Sequence, residues 1–133
     1  MRDEHIVALL PSILSTNASQ TLKVLDIAEN DITDFGGVRL VEALPFIFLT
    51  GLCMENCKIG DGTAAALAKV LEDPRSKIEE LFLASNQISK NGTHMIFSAL
   101  EHNSKVHSVD LSKNRIKNSG TKVLSRVIKK NKV

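Results

Sequence analysis

The sequence has no tryptophan and no tyrosine, and its five phenylalanines all lie before residue 98. The basic stretch Lys113–Val133 therefore offers no aromatic ring on which bases could stack, which disfavours a single-stranded nucleic-acid site there. The longest apolar-leaning run, Ala43–Met54, is too short to cross a bilayer. The amino-terminal segment carries acids where a secretory signal has only positive charge. We expect a soluble, cytoplasmic protein that binds neither nucleic acid nor membrane.

Cysteine is also scarce, since Cys53 and Cys57 are the only two in the chain. A zinc site needs about four ligands, and the four histidines lie in other segments, so we expect no metal and no other cofactor. Two unpaired thiols suit a reducing compartment. The sequence lacks the G-x-S-x-G, Walker and H-E-x-x-H motifs. We therefore expect no catalytic residues and no enzyme activity.

Four segments of the chain align with one another, with starts spaced by 27, 29 and 28 residues. Apolar residues occupy the first, fourth, sixth and eleventh places of each segment. The ninth place holds Asn or Cys, at Asn30, Cys57, Asn86 and Asn114. The first half of each repeat has the period-two spacing of a short strand with one buried face, and the second half has helical spacing. One such unit cannot cover its own apolar face, so the pattern predicts a stacked solenoid.

Two further features of the repeat concern the start of each helix. The predicted helix N-caps are Thr33, Asp61, Ser89 and Asn118. The glycines expected to let helix and strand backbones approach closely are Gly36, Gly92 and Gly120.

The pattern L-x-x-L-x-L-x-x-N-x-I resembles the leucine-rich repeats of ribonuclease-inhibitor type, as found in NOD-like receptors and the Ran GTPase-activating protein. The resemblance implies an α/β fold: a right-handed solenoid forming a horseshoe arc, with a parallel β-sheet on the concave face and helices on the convex face. We interpret residues 1–133 as one domain. Its parts are an amino-terminal helical half-repeat or cap, 1–21, and the repeats 22–48, 49–77, 78–105 and 106–133.

The amino-terminal segment allows two interpretations, a true cap or the trace of an array cut from a longer one. Pro11 predicts a break in its helix, because proline strains a helix interior. Its apolar residues are expected to face the first full repeat, namely Ile6, Leu9, Leu10, Ile13 and Leu14.

Strand alternation places Cys53, between Leu52 and Met54, on the open face. The resemblance implies that the ninth residue, Cys57, turns inward at the end of the strand, so we expect no disulfide between the two cysteines. The resemblance implies that the concave sheet carries the function. Each strand contributes one acid to that face, and Phe82 lies among them, which predicts an acidic stripe around an aromatic anchor for a basic protein or peptide. The alternative is that these acids only keep an open sheet soluble. The candidate partner-binding residues are Val24, Asp26, Glu29, Cys53, Glu55, Glu80, Phe82, Asp110 and Lys113.

The predicted function is that of a monomeric, non-catalytic protein–protein interaction module. The alternatives are a regulator of a small GTPase, a fragment of a sensor or scaffold, and a bacterial effector with host-like repeats. Eight of the 17 Lys and Arg residues follow residue 112 without any acid, which predicts a basic carboxy-terminal helix. We interpret that helix as a solvated face rather than a nucleic-acid or lipid site.

Overall fold

A computed structural model describes residues 1–116 of the chain. Four short strands alternate with helices along it. In chain order the elements are α1 Asp3–Ile13, α2 Thr16–Thr21, β1 Val24–Asp26, α3 Asp34–Ala43, a 3-10 turn Leu44–Phe46, β2 Gly51–Cys53, α4 Asp61–Glu72, β3 Glu80–Phe82, α5 Lys90–Leu100 and β4 Ser108–Asp110. Outside the described residues lie the predicted cap Asn118, the glycine Gly120 and most of the predicted basic carboxy-terminal helix.

The strands form one parallel sheet in the order β1-β2-β3-β4. Their middle residues lie side by side, with Leu25 opposite Leu52, Leu52 opposite Leu81 and Leu81 opposite Val109. Leu52 and Leu81, which have a neighbouring strand on each side, are completely buried. The period-two spacing thus produces a sheet with one face in the core, as the sequence predicts.

The helices form a second layer on the buried face of the sheet. Helix α1 packs against α3, α3 against α4, and α4 against α5. Their buried positions at helical spacing include Leu40, Leu67 and Ile96, all without solvent exposure. Strand and helix residues together make one continuous hydrophobic core. The architecture is the predicted right-handed α/β solenoid, with the sheet along one face and the helices along the other.

The side chain of the ninth residue of each repeat forms hydrogen bonds with backbone groups in and beside the turn that follows the strand. The Asn86 side chain donates to the carbonyl oxygens of Met54 (2.7 Å), Leu83 (3.1 Å) and Ala84 (3.2 Å) and accepts from the Cys57 N–H at 3.2 Å. One unit further on, Asn114 donates to the corresponding carbonyl oxygens of Leu83, Leu111 and Ser112, and its side-chain oxygen accepts from the Ile88 N–H. These side chains satisfy backbone groups that the turning chain would otherwise bury without partners.

A line of aspartates joins the helix N-termini of successive repeats, and we call Asp3, Asp34 and Asp61 the aspartate ladder. Each is the first residue of its helix and accepts hydrogen bonds from the next repeat. The Asp34 carboxylate accepts from the N–H groups of Gly60 (2.7 Å) and Thr63 (3.0 Å) and from the Thr63 hydroxyl (2.6 Å). Lys90 stands at the same place of α5, so the ladder spans three units.

The ladder corrects two predictions about the helix starts. Thr33 and Ser89 are N-caps as predicted, but the N-cap of α4 is Gly60, and Asp61 instead accepts from the backbone and hydroxyl of Ser89. The glycines make room for the ladder rather than for a strand. A Cβ at Gly36 would collide with the Asp3 carboxylate, and one at Gly92 with that of Asp61.

The amino-terminal helix also differs from its prediction. Helix α1 continues through Pro11 to Ile13. The carbonyl that loses its partner there belongs to Val7, which is 40% exposed and lies on the solvent side. Ile6 and Ile13 are buried and Leu9 and Leu10 half-buried, as expected. Leu14 is exposed instead, because it lies in the turn after the helix.

Candidate functional site

The exposed face of the sheet is built from two rows of side chains that the strand register defines. One row runs Asp26, Cys53, Phe82 and Asp110, and the other runs Val24, Gly51, Glu80 and Ser108. We call these the anchor row and the lower row. Both rows point away from the core because the leucines between them point into it.

Phe82 is the only aromatic residue on this face among residues 1–116, and it is half-buried rather than sealed in the core. Its flanking residues in the anchor row are Cys53 and Asp110, also half-buried. In the lower row Gly51 has no side chain, and Val24 and Glu80 close over it, so that it is buried. Phe82 therefore lies near the centre of the face. The lower row is shallow at Gly51, and the anchor row ends in the carboxylates of Asp26 and Asp110.

The acids of this face do not form the single stripe that the sequence predicts. Asp26 and Asp110 lie in the anchor row and Glu80 lies in the lower row. Glu55 follows the end of β2, because the strands are only three residues long. Asp26 and Asp110 each use one carboxylate oxygen to accept from the backbone two residues on, at 2.9 and 2.8 Å. The acids therefore lie around Phe82 in two rows and beyond the end of β2, not in a single row.

The rim of the face is set by a repeated turn that the sequence did not reveal. The eighth residue of each repeat has a left-handed backbone, with φ between 49° and 59°, at Glu29, Asn56, Ser85 and Lys113. The N–H of Glu29 donates to the Glu55 carbonyl, and the N–H of Ser85 donates to the Ser112 carbonyl. This turn projects the predicted site residues Glu29 and Lys113 as exposed charges beside the face.

The two cysteines differ in their surroundings, and both thiols are free. Burial raises the pKa of the Cys53 thiol, and the neighbouring Asp26 carboxylate raises it further. Burial also raises the pKa of Cys57, whose sulfur lies 3.5 Å from the Ile27 carbonyl oxygen, in the place that asparagine takes in the other repeats. Neither thiol is activated as a nucleophile. Within residues 1–116 no group of three or more His, Cys, Asp or Glu side chains is placed to hold a metal ion.

A second exposed surface contains aromatic residues that the sequence analysis did not single out. Phe46 and Phe48 are 60% and 48% exposed, beside the strand entries. The Arg75 guanidinium lies 4.8 Å from the Phe46 ring centre, and the Lys23 and Lys77 ammonium groups lie 5.3 and 5.9 Å from that of Phe48. The sequence signal for this surface is the alternation of Phe46 and Phe48 with Ile47, which is buried.

Comparison with known proteins agrees with this architecture. The family model described as Leucine Rich repeat matches residues 18–41 and 102–125. The human NACHT, LRR and PYD domains-containing protein 7 is 32% identical over 87 residues, which are 64% of this chain and 9% of that protein. Its human relative, protein 2 of the same description, is 30% identical over 91 residues, which are 67% of this chain and 8% of that protein. The chain belongs to the leucine-rich repeat family.

A solved structure also shares the fold. The chain superimposes on Leiomodin-1 Actin-Binding Site 2 with a TM-score of 0.71 and 18% identity, covering 96% of this chain and 88% of the other. The present chain spans less than a tenth of the length of the two human relatives. Within residues 1–116, none of the helices combines the length and apolar character that a bilayer crossing needs.

Proposed function

We propose that this chain is a non-catalytic protein-interaction module that binds another protein or peptide on the concave face of its sheet. The observation that carries the proposal is Phe82, an aromatic ring left half-exposed at the centre of that face. A surface that only had to stay soluble would place a polar residue there. Aromatic residues held in a shallow, partly desolvated setting are frequent anchors of protein interfaces.

The charge around the ring favours a basic partner. Of the nine predicted site residues, five are acids and only Lys113 is a base. Burial is the main cause of the raised pKa of the Cys53 thiol, and the Asp26 carboxylate adds to it. Carboxylates around an aromatic anchor attract and orient a Lys- or Arg-rich segment, and they disfavour nucleic acid and anionic membrane.

The remaining parts of the proposal follow from the chemistry of the site. The face holds no activated nucleophile, which supports a binding role rather than an enzyme. Two free thiols support a cytoplasmic location. The 27- to 29-residue spacing, with a full helix in each connection, supports the ribonuclease-inhibitor-like repeat type. We propose that the chain is a monomer when its partner is absent.

One alternative is favoured by a specific observation. The two human relatives carry NACHT and PYD domains in addition to their repeats, according to their descriptions. That likeness supports a part in a multidomain sensor or scaffold, in which the concave face keeps its binding role. The remaining alternatives are a bacterial effector with host-like repeats and a regulator of a small GTPase, and a GTPase-stimulation assay with the purified chain separates the latter from plain binding.

Site-specific photo-crosslinking tests the proposal. A photoreactive phenylalanine analogue replaces Phe82 in one variant and Ser98, an exposed residue of α5 on the convex side, in a matched control. In cells, we expect one discrete crosslinked partner from position 82 and none of that size from position 98. Equal crosslinking from both positions, or crosslinking from position 98 alone, contradicts binding on the concave face.

A further inference from the structure

The segment that leads into β2 exposes two aromatic rings on one side. After the 3-10 turn, Ile47 has an extended backbone, with φ −130° and ψ 157°. Alternate side chains of an extended segment point to opposite sides. Phe46 and Phe48 therefore project into solvent, whereas Ile47 is only 2% exposed and packs into the core. We call the two rings and the cations beside them the basic-aromatic patch, which consists of Phe46, Phe48, Lys23, Arg75 and Lys77.

The two rings stand at places that are polar elsewhere in the solenoid. The repeat spacing aligns them with residues that lie before each of the other strands. All of these are polar, namely Ser19, Thr21, Arg75, Lys77, Asn103 and Lys105. The rings contribute little to the core, because Phe46 and Phe48 are largely exposed. A partner that covers them would gain the free energy of burying apolar surface.

The cations of the patch differ in how far their charge is compensated. The Lys23 and Lys77 ammonium groups lie 5.3 and 5.9 Å from the centre of the Phe48 ring. Within residues 1–116 neither of these two ammonium groups forms an ion pair. The Arg75 guanidinium, in contrast, donates two hydrogen bonds to the Asp73 carboxylate, at 3.0 and 2.7 Å. The uncompensated positive charge is therefore concentrated beside Phe48, where it would attract a carboxylate.

A cavity of about 280 Å³ adjoins the other ring of the patch. It lies between α3 and α4, and Pro45, Phe46, Ala66 and Val70 form part of its wall. The charged residues that also line it are two acids and two bases, namely Glu42, Asp73, Lys69 and Arg75. Because their charges balance, the cavity favours an apolar side chain and has no preference for one sign of charge.

We propose that the basic-aromatic patch binds an acidic segment of another protein that carries an acidic and an apolar residue at a spacing of two. The acidic side chain pairs with Lys23 and Lys77 beside Phe48, and the apolar side chain enters the cavity beside Phe46. Alternate residues of an extended chain lie about 7 Å apart on the same side. Phe46 and Phe48 have this spacing themselves, so an extended partner segment matches both rings at once.

The charge distribution favours a protein segment over an anionic membrane or a nucleic acid. Glu42 and Asp73 line the cavity next to the patch, and a continuous anionic surface would be pressed against both carboxylates. A short segment with one apolar residue at that point avoids the repulsion. The patch is separate from the concave face, whose acids favour a basic partner, so the two surfaces select ligands of opposite charge.

Three synthetic peptides test the proposal on the full chain. EEFEEFEE has the required spacing in both directions, QQFQQFQQ lacks the acids, and EESEESEE lacks the rings. Binding is followed by amide chemical shifts. We expect the first peptide to shift the amides of Lys23, Phe48 and Lys77 with a Kd below about 1 mM, and the other two to bind at least about tenfold more weakly.

Variants of the chain locate the site. Phe48→Ala should weaken binding of EEFEEFEE at least about tenfold, and so should the double variant Lys23→Gln with Lys77→Gln. Phe35→Ala on α3 is the matched control, and it should leave the binding unchanged. Phe35 is 56% exposed and also has a cation over its ring, since the Arg39 guanidinium lies 3.6 Å from the ring centre.

Several results would overturn the proposal. They are equal binding of the three peptides, no shift of the Lys23 and Lys77 amides at about 1 mM EEFEEFEE, and equal effects of Phe48→Ala and Phe35→Ala. Phe48-dependent binding of phosphatidylserine vesicles or of poly(dT) that is tighter than binding of EEFEEFEE would assign the patch to another class of ligand, and would also overturn it. Phe82→Ala should leave peptide binding unchanged, so this test is independent of the concave site.

Discussion

Replacing Asn86 by alanine isolates the energetic role of the ninth residue of the repeat. Asn86 is buried between the second and third repeats, and its side chain makes four hydrogen bonds to backbone groups. Two of its partners keep another bond in the variant, since Leu83 O also accepts from Asn114 and Ala84 O also accepts from the Asn56 N–H. The Cys57 N–H and the Met54 carbonyl are left without partners.

The expected cost follows from those two orphaned groups. Each buried backbone group without a partner costs about 1–3 kcal/mol, so Asn86→Ala should destabilise the fold by about 2–4 kcal/mol after partial hydration. Asn30→Ala is the matched control, because Asn30 is only half-buried at the end of the array and should cost about 1 kcal/mol or less. Asn86→Cys should fall between wild type and Asn86→Ala, since the chain itself uses cysteine in this place at Cys57.

Equilibrium urea unfolding followed by far-ultraviolet circular dichroism measures these differences at pH 7. The linear extrapolation gives the free energy of unfolding for each variant under the same conditions. A cost below about 0.5 kcal/mol for Asn86→Ala, or equal costs for Asn86→Ala and Asn30→Ala, would refute the reasoning from orphaned backbone groups.

Three further outcomes are expected. Leu83→Ala should lower the free energy of unfolding by about 2–5 kcal/mol, because Leu83 is completely buried, and a loss under about half a kcal/mol would contradict its place in the core. Burial opposes ionisation of Asp34, but hydrogen bonds from Thr63 and nearby backbone N–H groups outweigh this effect and lower the pKa of its carboxyl group. The ionised carboxylate therefore stabilises the fold at neutral pH, and this contribution is lost as the pH falls below about 4. Asp34→Asn should therefore lose less stability than wild type between pH 7 and about pH 3 in urea unfolding, and an unchanged pH profile would argue against the ladder. Iodoacetamide should alkylate half-buried Cys53 before buried Cys57, both slowly at pH 7 because burial raises their pKa values; mass spectrometry showing Cys57 first would reverse the assigned burial.

The repeat spacing was enough to predict most of the fold. Leucines at the fourth and sixth places imply a buried strand face, and the ninth asparagine implies a hydrogen-bonded turn, because these places recur in every repeat and meet their counterparts in the next one. The aspartate ladder was missed because an aspartate at a helix start has two possible roles. Asp61 looks like an N-cap of its own helix in the sequence, and only the alignment of neighbouring helices shows that its carboxylate reaches Ser89.

The candidate site was predictable in its residue types but not in its arrangement. The sequence assigns one acid to each strand, but it does not show that the strands end after three residues and leave Glu55 beyond β2. The exposure of Phe46 was not predicted, because this residue lies in an apolar run and such a run indicates burial. The 3-10 turn Leu44–Phe46, which exposes the ring, is seen only in the structure.

The most direct measurement of the central claim compares two phenylalanines by titration calorimetry with the partner identified by crosslinking. Phe82→Ala removes the ring on the concave face, and Phe46→Ala removes an equally large ring on the competing exposed surface. We expect Phe82→Ala to weaken binding at least about tenfold, or about 1.4 kcal/mol, and Phe46→Ala to change the affinity less than about twofold. The reverse order would show that the partner binds elsewhere on the solenoid.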